Sequence, residues 1–292
     1  MNCIGVDVGG TTIKLGIVRD GTIIERMESP STAGRPEVMA DRIADMIRRA
    51  CDLAETDRFG VACAGSVDAQ TGVVGADNLG WAGVPLRDLL EARLNARVPL
   101  VNDGYAAMFS EWICGALKGR TCAVYLTLGT GIGGGVIMDG KPRRGARGVE
   151  TELGHMITHA DGLLCSCGAQ GCFEAYASAR ALQRLQGDDM PVKSIIDGAK
   201  AGDPALLAVW RQYVHELGIG IISLMSIFAP EIVVLGGGIS NAGAFLIDSV
   251  QNELSSTPVY RRLYSHIPVA AAHNGNDAGI LGAAQFALKQ EA

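Results

Sequence analysis

Three cysteines, Cys165, Cys167 and Cys172, crowd one short stretch of this chain, and His155 stands just upstream. Three thiolates and one imidazole complete a tetrahedral zinc (Zn²⁺) shell, and a complete shell is structural because no position is left for a substrate. A disulfide or a set of free core thiols would use the same residues. A reducing compartment disfavours the first. The interleaved Gly168 and Gly171, suited to a tight metal knuckle, disfavour the second. His159 competes for the fourth ligand position but reads as a surface histidine.

A second chemistry is suggested by three glycine turns. In Asp7-Val8-Gly9-Gly10-Thr11 the glycines let a backbone hairpin approach phosphate oxygens and aim N–H groups at them. Thr11 adds a hydroxyl, with Thr12 beside it, Lys14 adds a positive charge, and Asp7 can hold Mg²⁺ directly or through water. The run Gly129-Thr130-Gly131-Ile132-Gly133-Gly134-Gly135 lies between two strands. That context differs from the dinucleotide fingerprint and the Walker loop, both of which lead into a helix. Gly236-Gly237-Gly238 follows a strand and precedes a helix, where an adenine or ribose can lie flat on the backbone. Each turn alone reads equally well as an ordinary glycine corner; three in one chain are harder to dismiss.

These residues need elements to hold them. Strands are expected over 2–8, 12–18, 22–27, 59–65, 98–101, 122–128, 136–138, 231–235 and 267–271. Helices are expected over 35–52, 86–94, 105–117, 203–228, 242–254 and 278–289, from apolar residues at helical spacing. The strand, glycine turn, strand layout at the N-terminus recurs from residue 121. Two such α/β halves suggest a duplicated fold with a cleft between lobes. The expected division is a smaller N-terminal lobe, 1–108, and a larger C-terminal lobe, 109–276, with the closing segment 277–292 packing back on the first.

Bulk properties narrow the function classes. With 48% hydrophobic and 19% charged residues the chain can bury a large core. A net charge of −6 argues against nucleic acid as a partner. No apolar run is long enough for a bilayer, the best candidate, 217–229, being short and broken by serine and glycine. The opening residues read as a strand and turn rather than a secretory leader. Cytoplasmic residence is therefore expected, with Cys3, Cys51, Cys63, Cys114 and Cys122 as reduced thiols.

In order along the chain, DVGGTTIK, VNDGYAA, LTLGTGIGGG, ELGH, CSCGAQGCFE and VVLGGGIS resemble the ROK family of sugar kinases and repressors, within the actin, hexokinase and heat-shock ATPase fold. The resemblance runs from Asp7 to the NDAGILGAA segment, and Asn78-Leu79-Gly80-Trp81 looks most like the bacterial glucokinases. It implies a two-lobed α/β fold of ribonuclease H-like halves, with ATP and Mg²⁺ on the glycine turns. The nucleotide contacts would come from Asp7, Gly9, Gly10, Thr11, Thr12, Lys14, Gly129, Thr130, Gly131, Gly133, Gly134 and Gly236 to Gly238. The sugar would be held by Gly65, Asn78, Asn102, Glu152, His155 and Glu174, with His155 also bound to zinc alongside Cys165, Cys167 and Cys172. Asp103 would be the general base. Taken alone, Asn102-Asp103 after a strand is ordinarily a helix cap. Departures border the pocket: Ala64, Ser66 and Asp77 stand where the family often has proline nearby. Tyr105 replaces a small residue, and Thr151 replaces glycine or alanine.

Phosphorylation of a hexose, glucose first, is the activity this implies. N-acetylglucosamine, N-acetylmannosamine, fructose and allose are alternatives, and Glu152 resembles the N-acetylmannosamine kinase pattern less well. A sugar-sensing repressor of the family carries a helix-turn-helix before the first strand, which here begins at Asn2. A non-catalytic sugar-binding module would be expected to lack Asp103 or an intact GTGxGGG turn. The family resemblance also implies a homo-oligomer, a dimer or tetramer.

Overall fold

The structure, a computed structural model, describes residues 1–145, 150–187 and 189–290; positions 291 and 292 of the expected closing segment lie outside them. The chain divides into two compact units. One comprises Met1–Lys118, Arg143–Thr151 and Asn276–Ala292, the other Gly119–Pro142 and Glu152–Gly275.

The first unit begins with β1 (Asn2–Val8), β2 (Thr12–Arg19) and β3 (Thr22–Pro30), then α1 (Pro36–Ala54) and β4 (Phe59–Cys63). Proline at the first position of α1 costs no hydrogen bond there, and Met39, Ile43, Ile47 and Ala50 bury one face. A small sheet follows, β5 (Ser66–Val67), β6 (Val74–Ala76) and β7 (Trp81–Val84), then α2 (Leu86–Leu94), β8 (Leu100–Asn102) and α3 (Asp103–Cys114). The main sheet has the order β3-β2-β1-β4-β8, antiparallel through β3-β2-β1 and parallel beyond.

The second unit repeats this plan. β9 (Ala123–Leu128), β10 (Ile132–Met138) and β11 (Lys141–Pro142) form the antiparallel part. The helices α4 (Glu174–Ala177), α5 (Ala179–Gln186), α6 (Val192–Lys200) and α7 (Pro204–Phe228) precede β12 (Val233–Gly236), α8 (Ala244–Ser256) and β13 (Val269–Ala271). The sheet order β11-β10-β9-β12-β13 is the same 3-2-1-4-5 order as in the first unit, with the same directions. The duplication is thus one of hydrogen-bonding topology. Apolar α7 covers this sheet: Trp210, Tyr213, Leu217, Ile221 and Leu224 are buried, and Asp203 caps its start by accepting the Ala205 and Leu206 N–H groups at 2.9 and 3.0 Å.

Several boundaries differ from the sequence expectation for physical reasons. α3 begins at Asp103 because the Asn102 side chain accepts the Tyr105 N–H at 2.9 Å. It stops at Cys114 because Glu111 turns back to accept the Ala116 N–H at 2.7 Å. β10 begins at Ile132, so its glycines lie inside the strand rather than before it. Gly134, at φ +153°, pairs with Leu126, and a Cβ there would sit 2.1 Å from the Tyr125 carbonyl oxygen. Residues 174–200 carry three helices where none is expected, and Gly238–Ala242 forms a 3-10 turn before α8.

The C-terminal helix α9 (Ala278–Gln290) belongs to the first unit and packs on β1, β4 and α3. Glycines permit the approach. A Cβ on Gly5 would lie 1.9 Å from the Ile280 carbonyl oxygen, one on Gly60 2.2 Å from that of Ala283, and one on Gly282 1.8 Å from that of Ala106. Backbone meets backbone at all three places, so no side chain can yield. Gly282→Ala should therefore lower unfolding stability by about 3 kcal/mol, read as the midpoint in guanidinium; an unshifted midpoint would mean that α9 and α3 do not pack this closely.

Candidate active site

In the first unit, the candidate residues gather at the C-terminal ends of β1, β4 and β8. Asp7 and Lys14 are directly opposed across β1 and β2, so their side chains share a face of the sheet. Burial raises the Asp7 carboxyl above the ordinary aspartate range, with the Lys14 charge opposing that shift. At the hairpin between these strands Gly9 donates its N–H to the Thr12 carbonyl at 3.1 Å. Ser31 donates its hydroxyl to the Gly9 carbonyl at 2.6 Å and its N–H to the Thr11 carbonyl at 2.9 Å. Gly10 packs on Asn78, whose Nδ2 would stand 3.0 Å from a Cβ at that position. The DVGGT turn and Asn78 are thereby brought together.

Asn102 ends β8 and begins α3, and its amide is used at both ends. Oδ1 caps the helix, while Nδ2 donates to the Gly65 carbonyl at 2.7 Å and to Asp103 Oδ1 at 3.1 Å. Asp103 Oδ1 also accepts the Gly104 N–H at 2.8 Å. A carboxylate at the first turn of a helix is favoured as the anion by the unpaired N–H groups and the helix dipole. Gly65 adopts φ +92°, and a Cβ there would meet the Gly75 carbonyl oxygen at 2.2 Å. Burial, then the charges of Asp103 and Asp7, push the Cys63 thiol well above its usual range. Both carboxylates therefore act on this one buried neighbour.

In the second unit His155, Cys165, Cys167 and Cys172 converge, with one ligand atom from each within 4.8 Å of the others. The Cys167 and Cys172 sulfurs are 3.6 Å apart, and Cys165 Sγ lies 3.8 Å from His155 Nδ1. All eight cysteines are free thiols. The left-handed Gly168 and Gly171 turn the knuckle, and a Cβ on Gly171 would strike the His159 carbonyl oxygen at 1.7 Å. Burial, followed by the adjoining thiols, pushes Cys172 up to about 12, so a cation is needed to hold all three sulfurs as thiolates. His159, expected on the surface, is partly buried. It stacks on Tyr176 with ring centroids 3.9 Å apart, and its Nε2 lies 3.4 Å from Glu216 Oε2 on α7, so it braces the knuckle.

Glu174 connects this knuckle to the glycine hairpin. Its Oε2 accepts the Ile132 N–H at 2.8 Å, and its Oε1 accepts the Ser166 hydroxyl at 3.4 Å. A Cβ on Gly131 would lie 2.2 Å from Glu174 Oε2, so glycine is required for the carboxylate to reach Ile132. Gly154 presses on the other side of the same residue, its would-be Cβ 2.1 Å from the Ile132 carbonyl oxygen. Phe173 is fully buried against α7, in a notch that exists because position 220 has no side chain. Burial raises the Glu152 carboxyl, His155 lowers it and Glu174 raises it further, so the two carboxylates feel each other.

Two of the remaining glycines border a cavity of about 520 Å³. Gly129 and Thr130 line it at the end of β9, and Gly238 on the facing turn. Gly237, at φ +80°, lies against the backbone of Leu128, and Gly236 lies beneath the Tyr125 hydroxyl. Gly133 and Gly134 lie within β10 rather than in the cavity wall. The opposite wall, Val192, Ile196 and Lys200 of α6, has no counterpart among the sequence candidates. Its signal was the helical spacing of Val192, Ile195, Ile196 and Ala199 after Pro191.

A sequence model of the ROK family matches residues 3–290. The chain is 37% identical to a glucokinase of Streptomyces coelicolor, over 99% of this chain and 98% of that protein. It is 36% identical to a glucokinase of Thermotoga maritima, over 98% and 97%. Among solved structures, a ROK family glucokinase from Streptomyces griseus in complex with glucose and AMPPNP superposes with a TM-score of 0.85 at 34% identity, covering 99% of this chain and all of that one. With its duplicated sheets, its glycine hairpins and a match along nearly its whole length, the chain belongs to the ROK family.

Proposed function

We propose that this protein is an ATP-dependent glucokinase, transferring the γ-phosphoryl group of ATP to the 6-hydroxyl of glucose. The observation that carries the reading is Asp103, fixed at the start of α3 by the Gly104 N–H and the Asn102 amide, in a chain similar over its full length to glucokinases. Asp103 accepts the proton of the attacking hydroxyl as the phosphoryl group moves in line. Its two Oδ1 hydrogen bonds set its orientation at the start of α3. Asn78, Asn102, Gly65, Glu152, His155 and Glu174 bind the sugar hydroxyls. A carboxylate that accepts from two hydroxyls rejects the wrong epimer, which would leave it unpaired in a desolvated site.

The cavity of about 520 Å³ takes the base and ribose of ATP, Val192 and Ile196 of α6 covering the base and the glycine turns receiving the phosphates. Asp7 and Lys14 flank the DVGGT hairpin on one face. A single carboxylate suits Mg²⁺, which keeps several waters and takes phosphate oxygens as further ligands; when bound, the ion neutralises charge on the β- and γ-phosphates. The cysteine and histidine cluster fits zinc. Tetrahedral coordination at about 2.3 Å from each sulfur sets sulfurs about 3.8 Å apart, against 3.6 Å for Cys167 and Cys172. With Nδ1 of His155 turned toward Cys165, Nε2 is left to donate to a sugar hydroxyl. Zinc supplies rigidity there and takes no part in phosphoryl transfer. The protein acts in the cytoplasm as a homo-oligomer. No helix among the described residues is long and apolar enough to cross a membrane.

A coupled ADP-release assay over hexoses and N-acetylhexosamines should give the highest kcat/KM with glucose; a preference for N-acetylmannosamine would replace the substrate. Asp103→Asn should cut kcat by about a thousandfold or more while calorimetry still detects glucose binding, and undiminished turnover would remove Asp103 from the base role. Metal analysis should find about one zinc per chain. Cys167→Ala should lose it, with a lower melting temperature and a higher KM for glucose; a zinc-free variant with wild-type kinetics would refute the structural role.

A further inference from the structure

The segment Arg143–Thr151 leaves the second unit and belongs to the first, and the chain re-enters the second unit at Glu152. Its described residues meet an aromatic cluster built by α3 and α9. Tyr105 and Phe286 meet edge to face at 88°, their ring centroids 6.4 Å apart, and Phe109 packs on both. The Arg144 guanidinium lies 4.9 Å from the Tyr105 centroid and 5.0 Å from that of Phe286. Its Nη2 pairs with Glu150 Oε1 at 2.9 Å, and the Glu150 side chain is only 4% exposed. Arg144 Nε is buried and has no acceptor among the described residues; the two rings, the Tyr105 hydroxyl and the Glu150 carboxylate hold the group in place. Burial pushes the Tyr105 hydroxyl up to about 12, so the ring meets Arg144 as a neutral partner.

We propose that Arg144, seated on Tyr105 and Phe286 and paired with Glu150, is a positioning residue for sugar binding. It ties the chain leading into Glu152 to the first turn of the helix that carries Asp103. Tyr105 lies two residues beyond Asp103, and Glu150 two residues before Glu152. Two residues span at most about 7 Å, so fixing Glu150 confines the start of the Glu152–His155 segment. Arg144 touches no substrate in this scheme. It acts through the residues that do. A planar guanidinium is required, because an ammonium cannot lie across two rings and pair with a carboxylate at once.

The proposal rests on the glucokinase reading for its kinetic part and on geometry alone for the rest, so two measurements separate them. Arg144→Ala and Tyr105→Ala should each raise the glucose KM about tenfold, with the KM for ATP and kcat little changed. The double variant should be no worse than either single one, because both changes remove the same clasp. Tyr105→Phe, which keeps the ring and loses only the hydroxyl, should retain most of the wild-type affinity, and Arg144→Lys should only partly restore it. Hydrogen exchange should be faster over residues 150–156 in Arg144→Ala and Arg144→Lys than in wild type. An unchanged glucose KM together with unchanged exchange, or multiplicative losses in the double variant, would overturn the proposal. If the alanine variants do not fold, Arg144→Lys decides by the same two readouts. A wild-type protein inactive on glucose would defeat the functional reading instead, and the exchange comparison would still decide the clasp.

Discussion

The hydrogen bond from the Ile132 amide to the Glu174 carboxylate joins two parts of the second unit that lie far apart in the chain. On one side stands the knuckle of Cys165, Cys167 and Cys172, two residues from Glu174 in the chain and held on α7 by Phe173. On the other is the glycine hairpin between β9 and β10. A charged acceptor makes this bond stronger than an ordinary backbone pair. It also makes the geometry of the hairpin depend on the shape of the knuckle. In the proposed mechanism the same carboxylate receives sugar hydroxyls, so the feature that recognises the sugar also shapes the loop that receives phosphate.

Glycine makes this architecture possible, more through close approach than through unusual dihedrals. Gly131 admits Glu174, Gly154 admits the Ile132 carbonyl, and Gly220 admits the Phe173 ring. In the first unit Gly5, Gly60 and Gly282 let α9 rest on β1, β4 and α3 with backbones in contact. Backbone contacts of this kind hold their geometry more firmly than side chains that can change rotamer. The helix carrying Asp103 is seated in that way, a suitable support for the proton acceptor proposed there, whose position must be accurate.

Parts of the site were legible in the sequence because their signals are local. Cys165, Cys167 and Cys172 with interleaved glycines announce a knuckle within a few residues, and their side chains do converge with that of His155. The long apolar periodicity of 203–228 became α7 with its boundaries nearly unchanged. The α6 wall of the cavity was not legible, since Val192 and Ile196 line a cavity only once the helix lies opposite Thr130 and Ile239. His159 misled for a related reason. Its partners come from two separate helices, Tyr176 from α4 and Glu216 from α7, and no local pattern around His159 points to either.

The sequence by itself determined the duplicated strand and glycine-turn plan, the helix periods, the ligand types of the knuckle and, through its ordered motifs, membership of the family. Those follow from short-range rules: two-residue and 3.6-residue periodicity, the freedom of glycine, and the preference of thiolates for a soft cation. Only the tertiary structure decided that β10 runs through its glycines, that Asn102 caps α3 while holding Asp103, and that Glu174 reaches across to Ile132. It alone seated Arg144 on the rings of Tyr105 and Phe286. Each of these joins atoms far apart in the chain or chooses among several partners within reach. That choice is made by packing, because a desolvated polar group must find whichever partner the fold brings within hydrogen-bonding distance.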